Sequence, residues 1–327
     1  MTPQGRQPRR AGSTSGPVEP ALAVPPLRSW LFVPGDSERK QEKALGSAAD
    51  AVILDLEDSV ALAELPAART RVANLLRSHR PHRAPQLWVR PNAPASGLLG
   101  EDLETLYAAG APAGLVLPKV SAATEIPAVV RQLAGLEARA GVSPGNTRLL
   151  IIATETPAGV LALPQYPAVL GSVKGLRQRI AGLTWGGEDL GAALGALAQR
   201  DTTGALTFTF QLARTHCLLA AAALGVQAID AVCTDFRDSA RLQHELDAAR
   251  RDGFSGKLAI HPDQIAAINA AFAPTDAERE HAQRVVAAFA TAPAAGVVSL
   301  DGRMIDRPHL LQAQRILAVA ERARGGT

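Results

Sequence analysis

The sequence predicts an α/β fold, a (β/α)8 TIM barrel with a short C-terminal extension. Short runs rich in Val, Ile and Leu alternate with longer segments in which Ala, Leu and Arg recur at helical spacing, and eight such runs can be counted. Repeated strand and helix units build a parallel sheet, and eight parallel strands close into a barrel. A chain of 327 residues is long enough for one barrel and a small appendage.

The eight apolar runs are the predicted strands. Most are nearly continuous in branched residues, as strands buried on both faces are. In chain order they cover residues 28–33, 51–55, 86–90, 114–118, 149–154, 181–185, 228–233 and 257–260. Each run ends in polar residues, and the carboxyl ends of all strands of a parallel barrel meet at one rim, where active sites of this fold lie. The sequence therefore places the chemistry at this rim.

Three segments are expected along the chain: a disordered leader (1–26), the TIM-barrel catalytic domain (27–272) and a C-terminal helical extension or lid (273–327). The leader lacks the apolar stretch of a secretory signal, although three arginines against one acid leave a transit peptide open. Beyond residue 272 a helix is predicted over 276–290, then a hairpin turn at Asp301-Gly302 and a last helix over 308–324. This extension is expected to pack on a neighbouring subunit or to cap the barrel mouth.

Composition favours a folded cytoplasmic enzyme and argues against two other classes of protein. Lys and Arg total 34 against 31 Asp and Glu, and aromatic residues make up 4%, so no nucleic-acid partner is expected. No apolar run reaches the roughly 20 residues that span a bilayer, so no membrane partner is expected. Cys217 and Cys233 lack metal-site spacing and are interpreted as reduced core thiols of a cytoplasmic protein.

Two acids at neighbouring strand ends give the strongest site prediction. Glu155 follows the fifth apolar run and Asp189 follows the sixth. Adjacent carboxylates repel unless a cation or a proton lies between them, and Mg²⁺ is commonly held by one or two protein carboxylates with waters and substrate. The sequence therefore predicts Mg²⁺ as the cofactor, with Glu155 and Asp189 as its ligands. The alternative is that Glu188 or Asp189 only caps the following helix.

The rim after the second and third runs carries further charged residues. Strand alternation predicts that Asp55 and Glu57 point the same way and hold metal-bound water, while Asp58 points oppositely as a cap or loop anchor. Arg90 ends the third run, and its planar guanidinium can bind a substrate carboxylate through two parallel hydrogen bonds. A structural salt bridge between Arg90 and one of the acids is the alternative.

Eight motifs together resemble the citrate lyase beta-subunit family of the 2-oxoacid aldolase superfamily. They are RSWLFVPG (28–35), DAVILDLEDSV (50–60), VRPN (89–92), LPK (117–119), ETPAG (155–159), WGGEDL (185–190), KLAIHP (257–262) and DGRMID (301–306). The likeness runs from residue 28 into the last predicted helix. Departures from the family pattern are Phe32 in place of a common Tyr, Pro91 in place of Val, and a longer segment over 171–179.

The resemblance implies a Mg²⁺-dependent carbon-carbon lyase. Such an enzyme cleaves or forms a 3-hydroxy-acyl thioester, for example a citryl, malyl or citramalyl ester of coenzyme A, and the products are an acyl thioester and a 2-oxoacid. It implies that Glu155 and Asp189 hold the metal and that Arg90 grips the oxoacid carboxylate. It implies further substrate contacts from Phe32, Arg39, Lys43, Ile260 and His261.

The resemblance also implies a homo-oligomer, a trimer or hexamer, in which Asp306 can enter a neighbour's active site as acid or base. Asp306, Arg90 and Glu57 are thus the candidate catalytic residues. From the residues alone, His261 is equally well a loop histidine, and the spacing of Arg39 and Lys43 favours a solvated helix face.

Two other functions stay open. One is a citrate lyase subunit that works only within a complex, on a thioester of an acyl carrier protein. The other is a class II aldolase acting on free 2-oxoacids, for which Phe32, Arg39 and Lys43 would be idle.

Overall fold

The computed structural model describes residues 26–79, 85–292 and 295–324, and within them eight parallel strands close into a barrel. The strands are β1 Ser29–Pro34, β2 Ala51–Asp55, β3 Gln86–Arg90, β4 Gly114–Leu117, β5 Arg148–Ile152, β6 Ile180–Thr184, β7 Gln227–Asp230 and β8 Gly256–Ala259. Each strand pairs with the next one along the chain, and Ser29 of β1 lies opposite Lys257 of β8 to complete the ring. The predicted TIM barrel is confirmed. The predicted leader covers residues 1–26, of which all but the last lie outside the described residues.

The helices surround this ring and continue into the extension. They are α1 Glu38–Leu45, α2 Leu65–Ser78, α3 Leu99–Ala109, α4 Glu125–Arg139, α5 Pro157–Ala162, α6 Tyr166–Ser172, α7 Leu176–Arg179, α8 Gly187–Leu194, α9 Phe208–Leu224, α10 Ser239–Asp252, α11 Ile265–Ala271, α12 Asp276–Ala290 and α13 Arg307–Arg324. Short 3-10 turns occupy Leu62–Glu64, Pro94–Ser96, Leu163–Gln165 and Pro262–Gln264.

The core has two layers, one inside the barrel and one between the barrel and the helices. Inside, Trp30 and Trp88 pack edge to face with ring centroids 4.7 Å apart. They belong to one cluster with smaller apolar residues of the other strands. Outside, the alternate residues of the same strands pack against the helices in one continuous cluster. Because both faces are buried, the strands read as continuous apolar runs in the sequence.

The predicted strand positions are correct, but their ends shift by one to three residues. β2 and β3 have the predicted bounds, whereas β7 ends at Asp230, three residues before the predicted end at Cys233. Boundaries of elements are the least certain part of a sequence-based prediction, because the last apolar residues of a run can belong to the following loop. Cys217 and Cys233 are both free and buried, as expected for core thiols.

The C-terminal extension forms a small unit with its own apolar cluster. The strands β9 Val297–Leu300 and β10 Arg303–Asp306 pair as an antiparallel hairpin between α12 and α13. Ala282, Phe289 and Ile305 are among the residues buried in its cluster. The helix over 276–290 and the hairpin agree with the sequence prediction. In the described part of the chain, no helix combines the length and the apolar character needed to cross a bilayer.

Candidate active site

The carboxyl ends of the strands open into a cavity of about 1180 Å³. Most of the predicted site residues line it, and they come from β1, α1, β3, α8 and the loops after β5 and β8. These lining residues are Phe32, Arg39, Lys43, Arg90, Glu155, Asp189, Ile260 and His261. Two predicted residues, Glu57 and Asp306, are not among the residues that line the cavity.

Arg90 is held against the acids that follow β2. Its Nε and Nη2 atoms donate to the two carboxylate oxygens of Asp55 at 2.6 and 2.7 Å, and its Nη1 atom lies 3.0 Å from Glu57 Oε2. Burial opposes ionisation of Asp55, but the Arg90 guanidinium outweighs it and lowers the pKa of that carboxyl. The guanidinium also lies over the ring of Phe32, 4.9 Å from its centroid. Arg90 therefore forms the salt bridge that the sequence offered as the alternative to substrate binding, and it also lines the cavity.

The acids at the end of β2 and in the turn that follows, Asp55, Glu57 and Asp58, converge, so the predicted opposite orientation of Asp58 is wrong. Lys119 Nζ lies 2.7 Å from Glu57 Oε1 and 2.8 Å from both carboxylate oxygens of Asp58. The alternation rule fails here because β2 ends at Asp55, and Glu57 and Asp58 belong to the turn that follows. Glu57 is buried beneath Arg90 and Lys119, and burial raises its pKa to about 6 against the opposing effect of these two cations.

Lys119 is the site residue that the sequence reasoning missed. It stands just after β4 in the LPK motif, at the same kind of strand end that drew attention to Arg90. Its backbone N–H donates to Glu155 Oε2 at 2.5 Å, and its ammonium lies 3.6 Å from Asp189 Oδ1. A cationic residue directly after a buried barrel strand was the signal available in the sequence.

Glu155 is a buried carboxylate without a charged partner in the described part of the chain. Glu155 is 4% exposed. Among the described residues, its carboxylate accepts one hydrogen bond, from the backbone N–H of Lys119. Burial raises the pKa of Glu155 to about 8, with the nearby Glu57 and Asp189 adding to the effect. Its side chain also packs on Gly186, where an added Cβ would stand 2.7 Å from Glu155 Cγ. The glycine leaves just enough room for this carboxylate.

Asp189 reaches the same region from the first turn of α8. The N-cap of α8 is Gly186, and no side chain forms a hydrogen bond to the cap. The alternative that Glu188 or Asp189 serves only to cap this helix is therefore wrong. Asp189 is partly exposed, and Lys119 at 3.6 Å is its ion-pair partner among the described residues.

The chemistry of Glu155 and Asp189 fits a hard divalent cation. Carboxylate oxygens are the ligands that Mg²⁺ prefers, and a buried carboxylate that lacks a cation is stabilised by one. Among the described residues, no group of three or more His, Cys, Asp or Glu side chains is arranged as a metal site. A cation here would thus have two protein carboxylates and would complete its coordination with water and substrate.

The outer part of the cavity combines exposed basic groups with apolar ones. Arg39 and Lys43 are exposed on α1, one helical turn apart. After the neighbouring strand β8, Ile260 is 39% exposed, and the ring of His261 stacks on Phe236 with centroids 4.5 Å apart. His261 Nδ1 also accepts the backbone N–H of Asp263, so this residue is both a loop cap and part of the cavity wall.

Asp306 lies in the extension, at the end of β10. Its carboxylate is about half-exposed and bonds to the imidazole of His309 three residues later. This hydrogen bond lowers the pKa of Asp306. Asp306 does not line the cavity of its own chain, so a role at the barrel mouth requires the extension of another copy.

A comparison with known families assigns the chain. The sequence profile of the family described as HpcH/HpaI aldolase/citrate lyase matches residues 28–262. The chain belongs to this family. The match covers the whole barrel and includes Arg90, Glu155, Asp189 and His261.

Several relatives with assigned activities are similar to most of the chain. The mitochondrial citramalyl-CoA lyase of Rattus norvegicus is 36% identical over 90% of this chain and 86% of its own length. The (3S)-malyl-CoA thioesterase of Cereibacter sphaeroides is 36% identical over 90% and 95%. The citrate lyase subunit beta of Escherichia coli is 35% identical over 90% and 93%.

A solved structure of a similar protein supports the fold. The protein CitE from Mycobacterium tuberculosis, crystallised in complex with magnesium, acetoacetate and coenzyme A, superimposes with a TM-score of 0.72. The two sequences are 33% identical, and the match covers 92% of this chain and 100% of the other. The similarity therefore includes the extension as well as the barrel.

Proposed function

We propose that this protein is a Mg²⁺-dependent carbon-carbon lyase acting on a 3-hydroxy-acyl thioester of coenzyme A. The observation that carries the proposal is the sorting of charges at the barrel mouth. Arg90 and Lys119 pair with the acids at and after the end of β2, whereas Glu155 is buried and forms no ion pair with any described residue. Homologues named as a citramalyl-CoA lyase and a citrate lyase subunit support this class of reaction.

In this proposal, Glu155 and Asp189 hold Mg²⁺, which acts when bound as a Lewis acid that polarises the hydroxyl or keto oxygen of the oxoacid half. Arg90 binds the oxoacid carboxylate and adds positive charge at the same end of the substrate. Asp55 keeps the guanidinium in place through two short hydrogen bonds. Glu57 does not line the cavity, but it contacts Arg90 and Lys119. We therefore assign it the positioning of these two cations.

The thioester half is proposed to lie towards α1. Arg39 and Lys43 are exposed at the cavity edge, where they can meet the phosphates of coenzyme A, and Phe32 lines the path inward. Ile260 and His261, which follow the neighbouring strand β8, also line the cavity. The similar CitE structure was crystallised with coenzyme A, which supports this class of ligand.

In the cleavage direction a base takes the proton of the substrate hydroxyl, the carbon-carbon bond breaks, and the enolate of the acyl thioester must gain a proton; the acid is proposed to be Asp306 of a second copy. Its carboxylate is accessible on the extension and does not line its own cavity. The proposed role of Asp306 requires a homo-oligomer, a trimer or hexamer, in which each active site combines residues of two chains. We also propose a cytoplasmic location, which the free, buried Cys217 and Cys233 support.

The decisive experiment removes the two carboxylates separately. Glu155→Gln and Asp189→Asn are expected to lower Mg²⁺ affinity at least about tenfold and to reduce turnover of malyl, citramalyl and citryl esters of coenzyme A by about a thousandfold. Mg²⁺ binding is measured by titration calorimetry and turnover by release of free 2-oxoacid. Undiminished Mg²⁺-dependent turnover in either variant would refute the metal assignment.

The same substrate panel separates the alternatives. A citrate lyase subunit that depends on a complex, as the similarity to the Escherichia coli protein allows, would turn over thioesters only on an acyl carrier protein. A class II aldolase would cleave free hydroxy-oxoacids equally well without a thioester. The Cereibacter relative is named as a thioesterase, so release of free coenzyme A is measured alongside release of oxoacid.

A further inference from the structure

Lys119 has an unusual backbone conformation. Its φ is 52°, which makes it one of two non-glycine residues with positive φ in the described ranges. This left-handed conformation is unfavourable for a residue with a side chain, and it persists only where surrounding contacts hold it. Here the contacts are the N–H bond to Glu155 and the ammonium bonds to Glu57 and Asp58.

The ammonium of Lys119 lies at the centre of the acidic rim. It is 2.7 Å from Glu57 Oε1, 2.8 Å from Asp58 Oδ1 and 3.6 Å from Asp189 Oδ1. A metal ion that took the place of this ammonium would therefore find Glu57 and Asp58 as additional ligands. While Lys119 stays in place, these two carboxylates are engaged, and Glu155 and Asp189 remain for the metal.

We propose that Lys119 sets the metal selectivity of the site by keeping Glu57 and Asp58 out of the coordination sphere. The inference rests on the proposed metal-dependent function. Mg²⁺ favours one or two carboxylates with water completing a strict octahedron, whereas Ca²⁺ takes six to eight oxygens in flexible geometry. A site limited to two carboxylates suits Mg²⁺, and a site enlarged by two more suits Ca²⁺.

The backbone and the side chain of Lys119 contribute separately. The N–H bond to Glu155 orients one proposed ligand, and any residue that adopts the same φ can make it. The ammonium is the close partner of Asp58 and shares Glu57 with Arg90, so a change confined to the side chain releases Asp58 without removing the bond to Glu155. Lys119→Met has an unbranched side chain of similar length, and Lys119→Arg retains the charge.

The test compares Mg²⁺ and Ca²⁺ affinities by titration calorimetry on the full chain. Lys119→Met is expected to tighten Ca²⁺ binding about tenfold more than Mg²⁺ binding, because the Asp58 carboxylate loses its close partner and is released near Asp189. Lys119→Arg is expected to keep the wild-type ratio of the two affinities. Adding Asp58→Asn to Lys119→Met is expected to restore most of that ratio, which a general loss of structure would not do. Lys119→Gln provides a second neutral variant, and far-UV circular dichroism verifies folding.

The outcomes are distinct. A ratio of Ca²⁺ to Mg²⁺ affinity that stays within about twofold of wild type in both neutral variants would overturn the role of Lys119. A shifted ratio that Asp58→Asn fails to restore would also overturn it, because the released carboxylates would then not be the cause. Failure of the wild-type protein to bind millimolar Mg²⁺ would instead refute the proposed function. The role of Lys119 in metal selectivity, which depends on that function, would then be refuted as well.

Discussion

At the scale of single residues, the burial of Glu155 has a consequence for stability. Burial raises the pKa of this carboxyl from about 4.5 to about 8, so the folded protein holds the proton more tightly than the unfolded chain. The resulting stabilisation is present at low pH and is lost as the pH rises from about 5 to 8. The cause is the cost of placing an unpaired carboxylate among buried groups.

We therefore expect the metal-free protein to lose about 4 to 8 °C of thermal stability between pH 5 and pH 8 through this group. The measurement is the melting temperature in EDTA, compared with that of Glu155→Gln, which cannot ionise. Since Glu57 also titrates in this range, the relevant quantity is the difference between the two proteins. An identical pH dependence in Glu155→Gln would contradict the assignment of the raised pKa.

The sequence could identify the charged residues of the site better than their partners. Arg90, Glu155 and Asp189 stand at strand ends, and that position follows from the apolar runs alone. The pairing of Arg90 with Asp55 and the left-handed backbone of Lys119 depend on distances between strands that are 35 and more residues apart in the chain. Local patterns do not contain such distances, so Lys119 received no role.

At the scale of elements, the connection between β6 and α8 decides whether the two proposed ligands meet. Gly186 lies in this connection, and an added Cβ would collide with the Glu155 side chain at 2.7 Å. Its backbone, with φ near −123°, suits any residue, so the requirement for glycine is one of space and not of conformation. The sequence shows the two glycines of WGGEDL but not which atom occupies the space beside them.

We expect Gly186→Ala to displace Glu155 and to lower Mg²⁺ affinity about tenfold or more with little loss of helix content. Gly191→Ala is the matched control, because its Cβ would stand 3.6 Å from Phe210, an ordinary contact, and alanine favours the interior of α8. Titration calorimetry of both variants provides the measurement. Equal Mg²⁺ affinity in the two variants would show that Gly186 does not shape the site.

Element ends also explain where the sequence prediction failed. Alternation along a strand predicted that Asp58 faces away from Glu57, but β2 ends at Asp55 and the turn brings both acids to Lys119. Period-two reasoning holds only inside a strand. The strand was predicted to end at residue 55, as it does, and the error was to extend the alternation of the strand into the turn that follows.

At the scale of the whole molecule, the barrel and the extension are two units with separate cores. The cluster around Phe289 and Ile305 belongs to the extension alone, and an ion pair between Arg250 of α10 and Glu278 of α12 is one of its links to the barrel. An element with its own core can keep its structure while it contacts another copy. Asp306 on this unit is accessible, as a residue donated to a neighbouring active site must be.

A shared active site predicts complementation between two inactive variants. Asp189→Asn loses the proposed metal ligand but keeps Asp306, whereas Asp306→Asn keeps the metal site. When the two are unfolded and refolded together in equal amounts, a barrel with an intact metal site meets an intact Asp306 in about a quarter of the sites, so about a quarter of wild-type turnover is expected. Each variant refolded alone is the control. If the co-refolded mixture is no more active than the two controls, Asp306 does not act across chains. Retained turnover in Asp306→Asn alone would show that the reaction does not need this residue. The same experiment therefore distinguishes a residue that acts within its own chain from one that takes no part in the reaction.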